Sequence, residues 1–381
     1  MRLYEFEASQ LFARKGIPMP HNAVVSSPQE AREKAEEIGL PVVLKAQILA
    51  GGRGVAGAVQ TAESLDQVEK VAEGLLGSSV KGLPVQQIMV AQKVDVAKEF
   101  YAGITIDGYH GSPVAIISSE GGVSINQIAQ ERPESVATRP VSMSKGLRPE
   151  EAREMCREVG MEGYEVTQVA SMLTALYRVF ESYDATVAEI NPLVRTAQGT
   201  YLGLDAKLEI DDSSLYRHKD LELDVEGRIH NPLERKGREI GVTYVELDGD
   251  IGIIASGAGL GMASMDIIVG QGLKPANFLE TGGGITEELL YNVMDLVLQK
   301  EGLRAVFINV YGGINPIHEG AKGVVKYMEE YGVTIPIVAK ALGNHQEETW
   351  EIFRNNGVHV VTEVSTEKAI DYLAGLLEGT A

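Results

Sequence analysis

The chain has 381 residues, more than one ordinary core can organise, so two domains are expected. Its 34 Lys and Arg stand against 54 Asp and Glu, and the resulting formal net charge of −20 repels nucleic acid and anionic lipid at long range, so neither is expected as a partner. A polyanionic ligand must then be held by local devices, namely glycine loops, helix N-termini and metal ions. The single cysteine, Cys156, excludes a disulfide framework or paired-thiol site within the chain and reads as a bystander thiol. The opening MRLYEFEASQLFARKG mixes acids with bases around no apolar signal core, and no run approaches the ~18 apolar residues of a membrane span, so a soluble cytoplasmic protein is expected.

In chain order, apolar spacing predicts an amphipathic helix over Tyr4 to Lys15, a strand at Ala23 to Val25, and a helix opened by Ser26-Ser27-Pro28. A strand at Pro41 to Lys45 follows. Between Ile88 and Asp107 the apolar residues alternate in places, and with the run Pro113 to Ser118 this predicts antiparallel pairing. A helical hairpin spans Pro149 to about Ser182 with Gly160 to Gly163 as its turn. Two strands come next, Ala185 to Ile190 and Tyr201 to Leu208, around a turn at Thr196 to Thr200. Residues 1–228 therefore read as mixed α+β. The polar stretch Ser213 to Lys236, with its Asn231-Pro232 break, is the expected linker.

Residues 229–381 change to regular alternation. Strands IGIIAS, ANFLE, AVFINV, IPIVAK and VHVV are each followed by a helix, the helices opening near Met262, Thr286, His318, Gln346 and Thr366. This predicts a doubly wound parallel sheet. The loops SGAGLG (256–261), TGGG (281–284), YGGI (311–314) and LGN (342–344) all follow strands and would share the carboxyl edge, where ligands and anions bind.

The segment KAQILAGGRGVAG contains G-x-G-x-x-G at Gly52, Gly54 and Gly57. An extended stretch, AVQTA, follows it where a dinucleotide turn needs a helix, and no P-loop signature exists. Strand, glycine loop and returning strand instead make a hairpin lid able to lower backbone N–H groups and the Arg53 fork onto a triphosphate, with Lys45 aimed at the same phosphates. Farther on, AEINPLV sets Glu189 and Asn191 on one face of a strand, and LGLDAKL sets Asp205 and Lys207 on one face of another. Converging acid, amide and acid suit Mg²⁺. They also describe the solvated polar edge of a hairpin. Glu99, in DVAKEFY, is a further strand acid that could hold a ribose, orient the lysine, or be solvated.

Read together, LYEFEASQLFARKGIPMP, VVLKAQILAGGRGVAG, EGGV (120–123), AEINPL with LDAKL, LDGDIGIIASGAGLGMASMD, PANFLETGGG and VYGGI resemble, in order and over nearly the whole chain, the β subunits of the succinate–CoA ligase family, the nucleoside-diphosphate-forming acyl-CoA synthetases. The resemblance implies an ATP-grasp domain (1–228) followed by a flavodoxin-like CoA-ligase domain (229–381). It also implies a separate α subunit that carries the CoA site and the phosphorylated histidine. Carried over by position, Lys45, Gly52, Arg53, Gly54 and Glu99 are implied to contact the nucleotide, ATP or GTP. Asn191 and Asp205 are implied to hold Mg²⁺, and Glu189 to stand beside the phosphohistidine. Gly312, Gly313 and Ile314 are implied to bind the acid, in a site that Ser256 and Lys340 complete.

The chain departs from the family pattern at several positions. Val55 replaces a lysine after the lid, and Ala91, followed by Gln92, replaces an acid of the nucleotide site. Ser256 replaces an asparagine, Lys340 an arginine, and Asn315-Pro316-Ile317-His318 the usual V-R-C-D. Arginine grips a carboxylate with two parallel bonds where lysine offers a point charge, so the acid could be succinate or another, such as malate, citrate or a monoacid. A nucleotide-binding regulatory subunit without turnover is the second alternative, and a stand-alone carboxylate–amine ligase the third.

Overall fold

The computed structural model describes residues 1–50, 57–225, 227–229, 231–314 and 316–379. The chain divides into two compact units, Met1–Leu223 and Asp224–Ala381.

The first unit contains strands β1 (Asn22–Val25), β2 (Val42–Ala46), β3 (Val59–Ala62), β4 (Ser79–Val80), β5 (Leu83–Pro84), β6 (Ile88–Gln92), β7 (Val96–Asp107), β8 (Ser112–Ser118), β9 (Val136–Pro140), β10 (Ala185–Thr196), β11 (Tyr201–Gly203) and β12 (Ala206–Ile210). Its α-helices are α1 (Glu5–Arg14), α2 (Pro28–Ile38), α3 (Leu65–Leu75), α4 (Ile125–Glu131), α5 (Pro149–Glu158) and α6 (Gly163–Ser182). One antiparallel sheet has the order β1-β6-β2-β3, and α2 and α3 close its face with small residues such as Ala31, Ala35 and Ala72. The Ser27 hydroxyl accepts from the Glu30 N–H at 3.2 Å and Pro28 occupies the first helical position, which is why α2 starts there.

The second sheet has the order β11-β10-β7-β8-β9, with β12 also on β10, and packs its apolar face against α1, α5 and α6. Cys156 lies in that core, where burial, with a smaller push from the charge of Glu165, raises its thiol to about 12 and leaves it inert at neutral pH. The run from Ile88 to Asp107 does pair antiparallel, but in two sheets: β6 joins β1 and β2, and β7 joins β8 and β10. The expected strand Tyr201 to Leu208 is interrupted at Leu204-Asp205, so Asp205 stands at a break and not in a strand.

In the second unit the Asn231-Pro232 pair starts a helix. Asn231 Oδ1 accepts from the Leu233 and Glu234 N–H groups at 2.8 and 3.1 Å, and Pro232 sits first in α7 (Pro232–Ile240). A proline read as a break is here the first residue of a capped helix, where its missing N–H is harmless. Strands β13 (Thr243–Glu246), β14 (Ile251–Ala255), β15 (Asn277–Glu280), β16 (Ala305–Gly312), β17 (Ile337–Gly343) and β18 (His359–Val360) form one sheet, order β13-β15-β14-β16-β17-β18, parallel except for β13. Helices α8 (Ala258–Gly270) and α12 (Thr366–Glu378) cover one face; α7, α9 (Glu287–Leu298), α10 (Ile317–Tyr331) and α11 (Gln346–Asn355) contribute to the core on the other. The doubly wound expectation thus holds, with an antiparallel edge strand added.

Among the described residues no helix is long and apolar enough to cross a membrane.

Helices α9 and α10 touch through glycine. A Cβ at Gly323 would run into the Glu287 carbonyl, and one at Gly320 would meet Ile285 Cγ2 at 2.5 Å. Gly323→Ala is therefore expected to destabilise the second unit by about 1–3 kcal/mol despite alanine's better helix propensity. A urea midpoint equal to or above that of the parent chain would contradict this packing.

Candidate functional site

A cleft of about 830 Å³ lies within the first unit, lined by Lys45 of β2, Ala91 and Gln92 of β6, Gly122 and Val123 beyond β8, Glu189 and Asn191 of β10, and Asp205 and Lys207 at the start of β12. Its size suits a nucleotide-scale ligand. Lys45 is brought to this cleft together with Glu189, Asn191 and Asp205, which lie more than a hundred residues on in the chain.

Lys45 does not leave its strand for water. Its Nζ donates to Glu5 Oε1 and to the Leu204 carbonyl, both at 2.6 Å, and its side chain is 14% exposed. Glu5, at the first turn of α1 and 2% exposed, is a partner of Lys45 that the sequence did not flag, because an acid there is also an ordinary helix start. The pair carries one ammonium from the first sheet to the β11–β12 break beside Asp205.

Glu189 is half-buried and lies opposite Gly103 of β7 and Lys207 of β12. Burial raises its carboxyl above the usual range; Lys207 opposes that, Asp205 reinforces it, and hydrogen bonds to Tyr101 and Asn191 favour the ionised form. Tyr101, itself buried, reaches Glu189 only because Gly103 has no side chain: a Cβ there would stand 2.5 Å from the Tyr101 hydroxyl oxygen. The glycine inside β7 was the available sequence signal for this close approach.

Asn191 sits where the β10–β7 register slips by one residue, between Ile190 and Leu193, next to the cis Asn191–Pro192 bond. A bulge of this kind re-aims a side chain. Its amide clamps the EGGV loop, Oδ1 accepting from the Gly122 N–H at 2.9 Å and Nδ2 donating to the Val123 carbonyl at 3.0 Å. Glu99 is not among the cleft-lining residues; its carboxylate lies against Gly122, whose φ of +77° favours glycine. Gly52, Arg53 and Gly54, together with Val55, lie outside the described residues. They fall between β2 and β3, which do pair antiparallel as a hairpin requires.

In the second unit the glycine turns gather at the carboxyl ends of β14, β15, β16 and β17. Ser256 Oγ accepts from the Tyr311 N–H at 2.8 Å and donates to the Tyr311 carbonyl at 3.4 Å, which ties it to the strand end that carries Gly312 and Gly313. Asn344 knits the next turn to the same place, its N–H donating to the Gly312 carbonyl at 2.7 Å and its Nδ2 to the Ile314 carbonyl at 3.0 Å. Ile314 is 91% exposed. Lys340 is 6% exposed: it faces Asn309, Nζ to Oδ1 at 3.4 Å, and burial lowers its ammonium below the usual range against the pull of Glu367. Lys340 is thus held within the sheet layer, apart from the exposed turn.

The ATP-grasp domain family model matches residues 2–195, and the CoA-ligase family model matches residues 254–372. The chain is 43% identical, over 376 residues covering 98% of it and 99% of the relative, to a Thermus thermophilus protein named succinate–CoA ligase [GDP-forming] subunit beta. The chain belongs to the succinate–CoA ligase β-subunit family. Another member, the ADP-forming β subunit of Aquifex aeolicus, is 39% identical over 369 residues, 95% of each chain. The family accounts for the order of the two units, nucleotide domain first and ligase domain second. ATP citrate lyase of Methanothrix soehngenii, 19% identical over 99% of both chains with a TM-score of 0.77, shares the fold.

Two expectations arise from the Glu189 neighbourhood. Since the folded chain binds the Glu189 proton more tightly than the unfolded chain, the penalty for ionising it is absent in acid and appears as pH rises through its raised folded value. Glu189→Gln is therefore expected to melt above the parent at about pH 8, with the gap closing towards about pH 4; a gap independent of pH would contradict the burial argument. Gly103→Ala is expected to lose about 1–3 kcal/mol, with part of the loss restored by adding Tyr101→Phe. Urea unfolding of Gly103→Ala and of Gly103→Ala/Tyr101→Phe beside the parent measures this.

Proposed function

We propose that this chain is the β subunit of a ligase that makes succinyl-CoA, or a related acyl-CoA, from the acid, CoA and ATP or GTP, with a separate α subunit that binds CoA and carries a phosphorylated histidine. The observation that carries the reading is the convergence of Lys45, Glu189, Asn191 and Asp205, from both sheets of the first unit, on one cleft of nucleotide size.

In this reading the triphosphate lies in the cleft. Lys45, its ammonium already ordered by Glu5 and the Leu204 carbonyl, meets phosphate oxygens, and Gly52, Arg53 and Gly54, outside the described residues, are assigned to the same phosphates, with Glu99 behind Gly122 supporting the EGGV loop. Asn191 and Asp205 bring an amide and a carboxylate to the same cleft, a hard-oxygen donor set that fits Mg²⁺. Bound there, the ion supplies charge neutralisation for the transferred phosphoryl group. Glu189 orients the α subunit's histidine by accepting its ring N–H, leaving the other nitrogen to attack the γ-phosphorus as the nucleoside diphosphate leaves. The phosphoryl group then passes to the acid's carboxylate oxygen, and the CoA thiolate displaces phosphate from the acyl carbon.

The acid site assigned here is the turn Gly312, Gly313 and Ile314 at the N-terminus of α10, with Ser256 shaping it through Tyr311 and Lys340 adding positive charge from beneath. Succinate is the first substrate. The rival reading is the same reaction on another acid, such as malate, citrate or a monoacid; burial of Lys340, which leaves its ammonium no free approach to a second carboxylate, counts among these towards a monoacid.

With the purified α/β pair, Asp205→Asn is expected to lower transfer of labelled γ-phosphate to the α-subunit histidine by at least ~100-fold, and an acid panel is expected to show succinate with the highest kcat/KM. Wild-type levels of transfer in the variant would remove Asp205 from the site. Preference for another acid would install the rival, and no transfer by the parent pair would leave a regulatory subunit as the better reading.

A further inference from the structure

Beside the glycine turns stands a cluster that the ligase reaction does not use. His318 lies in the first turn of α10, while His345 and Glu348 lie at the N-cap and first turn of α11. One ligand-capable atom from each of the three falls within 4.8 Å of the others. His345 Nδ1 is 3.1 Å from Glu348 Oε2, His318 Nε2 is 3.9 Å from Glu348 Oε1, and the imidazole centroids are 4.5 Å apart.

Helical neighbours three apart pair routinely, so the His345–Glu348 contact alone is an ordinary capping ion pair. Three further observations are not explained that way. First, His318 contributes from a different helix, with its side chain 12% exposed, and so brings a second imidazole against the same carboxylate. Second, Nε2 of His318 stands between two carboxylates, 3.0 Å from Glu319 Oε1 and 3.9 Å from Glu348 Oε1, while Nδ1 of the same ring is buried with no hydrogen-bond partner among the described residues. A buried nitrogen lone pair without a donor is a destabilised Lewis base, and contact with a cation removes that penalty. Third, His345 has φ +59°, a left-handed backbone that L residues adopt at a cost, and strain of that kind gathers at ligand sites.

We propose that His318, His345 and Glu348 bind a first-row transition-metal dication, Zn²⁺ foremost. Two imidazoles and a carboxylate are the donor types this ion prefers, and three protein ligands leave one position for water or an exogenous oxygen ligand. Ligand bonds of about 2.0–2.2 Å place tetrahedral ligand atoms about 3.3–3.6 Å apart, so the cluster reaches that geometry by small side-chain rotations. The site is distinct from the hard-oxygen pair Asn191 and Asp205, which lies in the other unit and favours Mg²⁺. It therefore stands or falls independently of the ligase reading.

The test is a titration of the untagged full-length chain, stripped with chelator and held in excess Mg²⁺, with Co²⁺ followed by visible absorption and then displaced with Zn²⁺. The expected result is one Co²⁺ per chain with imidazole-type d–d bands that Zn²⁺ abolishes. Affinity should weaken at least about tenfold in His345→Asn, whose asparagine tolerates the left-handed backbone, and in Glu348→Gln. Circular dichroism of the metal-free variants checks that they fold, and the parent titration decides the matter if one does not. No saturable uptake by the parent, or uptake unchanged in folded His318→Asn/His345→Asn, would overturn the proposal.

Discussion

The nucleotide half of this protein depends on one ion pair. The ammonium of Lys45 leaves β2, enters the space between two sheets, and is fixed there by a carboxylate from α1 and a carbonyl at the gap between β11 and β12. Removing either partner from such an enclosed pair leaves a desolvated charge behind, so the two sheets are coupled electrostatically at the cleft. Asp205 comes directly after the accepting carbonyl, and Glu189 faces Lys207 on the adjoining strand. The cleft is consequently a mixed-charge surface in an otherwise acidic chain, and its positive charge is placed by structure rather than by composition.

Around that pair the backbone is bent to serve the side chains. The register slip in β10 turns Asn191 towards the EGGV loop, whose glycines let it press against β7 and Glu99. Gly103 performs the matching service for Tyr101, opening a lane along the sheet to Glu189. Loop, bulge and strand glycine together fix the acid and the amide without any long loop of their own.

Much of this was legible because it is local. The Ser27-Pro28 start of α2, the helical hairpin around Gly160 to Gly163 and the β–α alternation of the second unit are written in spacing and turn chemistry, which the chain cannot satisfy in another way. What escaped is non-local. Glu5 is 40 residues from Lys45 and Leu204 is 159 from it, so no window of sequence contains the contact. The strand from Tyr201 looked continuous because a break at Leu204-Asp205 changes no periodicity. Asn231-Pro232 misled for the opposite reason, since the same two residues end one helix or begin the next depending on the residues that come after them. The two units as folds were thus readable, as was the candidate set at Lys45, Glu189, Asn191 and Asp205; the partners that aim those side chains were not.

The ends of the second unit's sheet carry a further consequence. Its edges are β13, four residues long and reversed, and β18, two residues long. Glu246, the last residue of β13, is bound to Lys300 at 3.0 Å and to the Asn231 amide, which places charge on that border. An interior of parallel, almost wholly apolar strands is a strong template for adding more strands, and short, charged borders deny it a place to start. The central β16 can therefore be as apolar as its role in carrying the glycine turn demands, without making the folded chain prone to self-association.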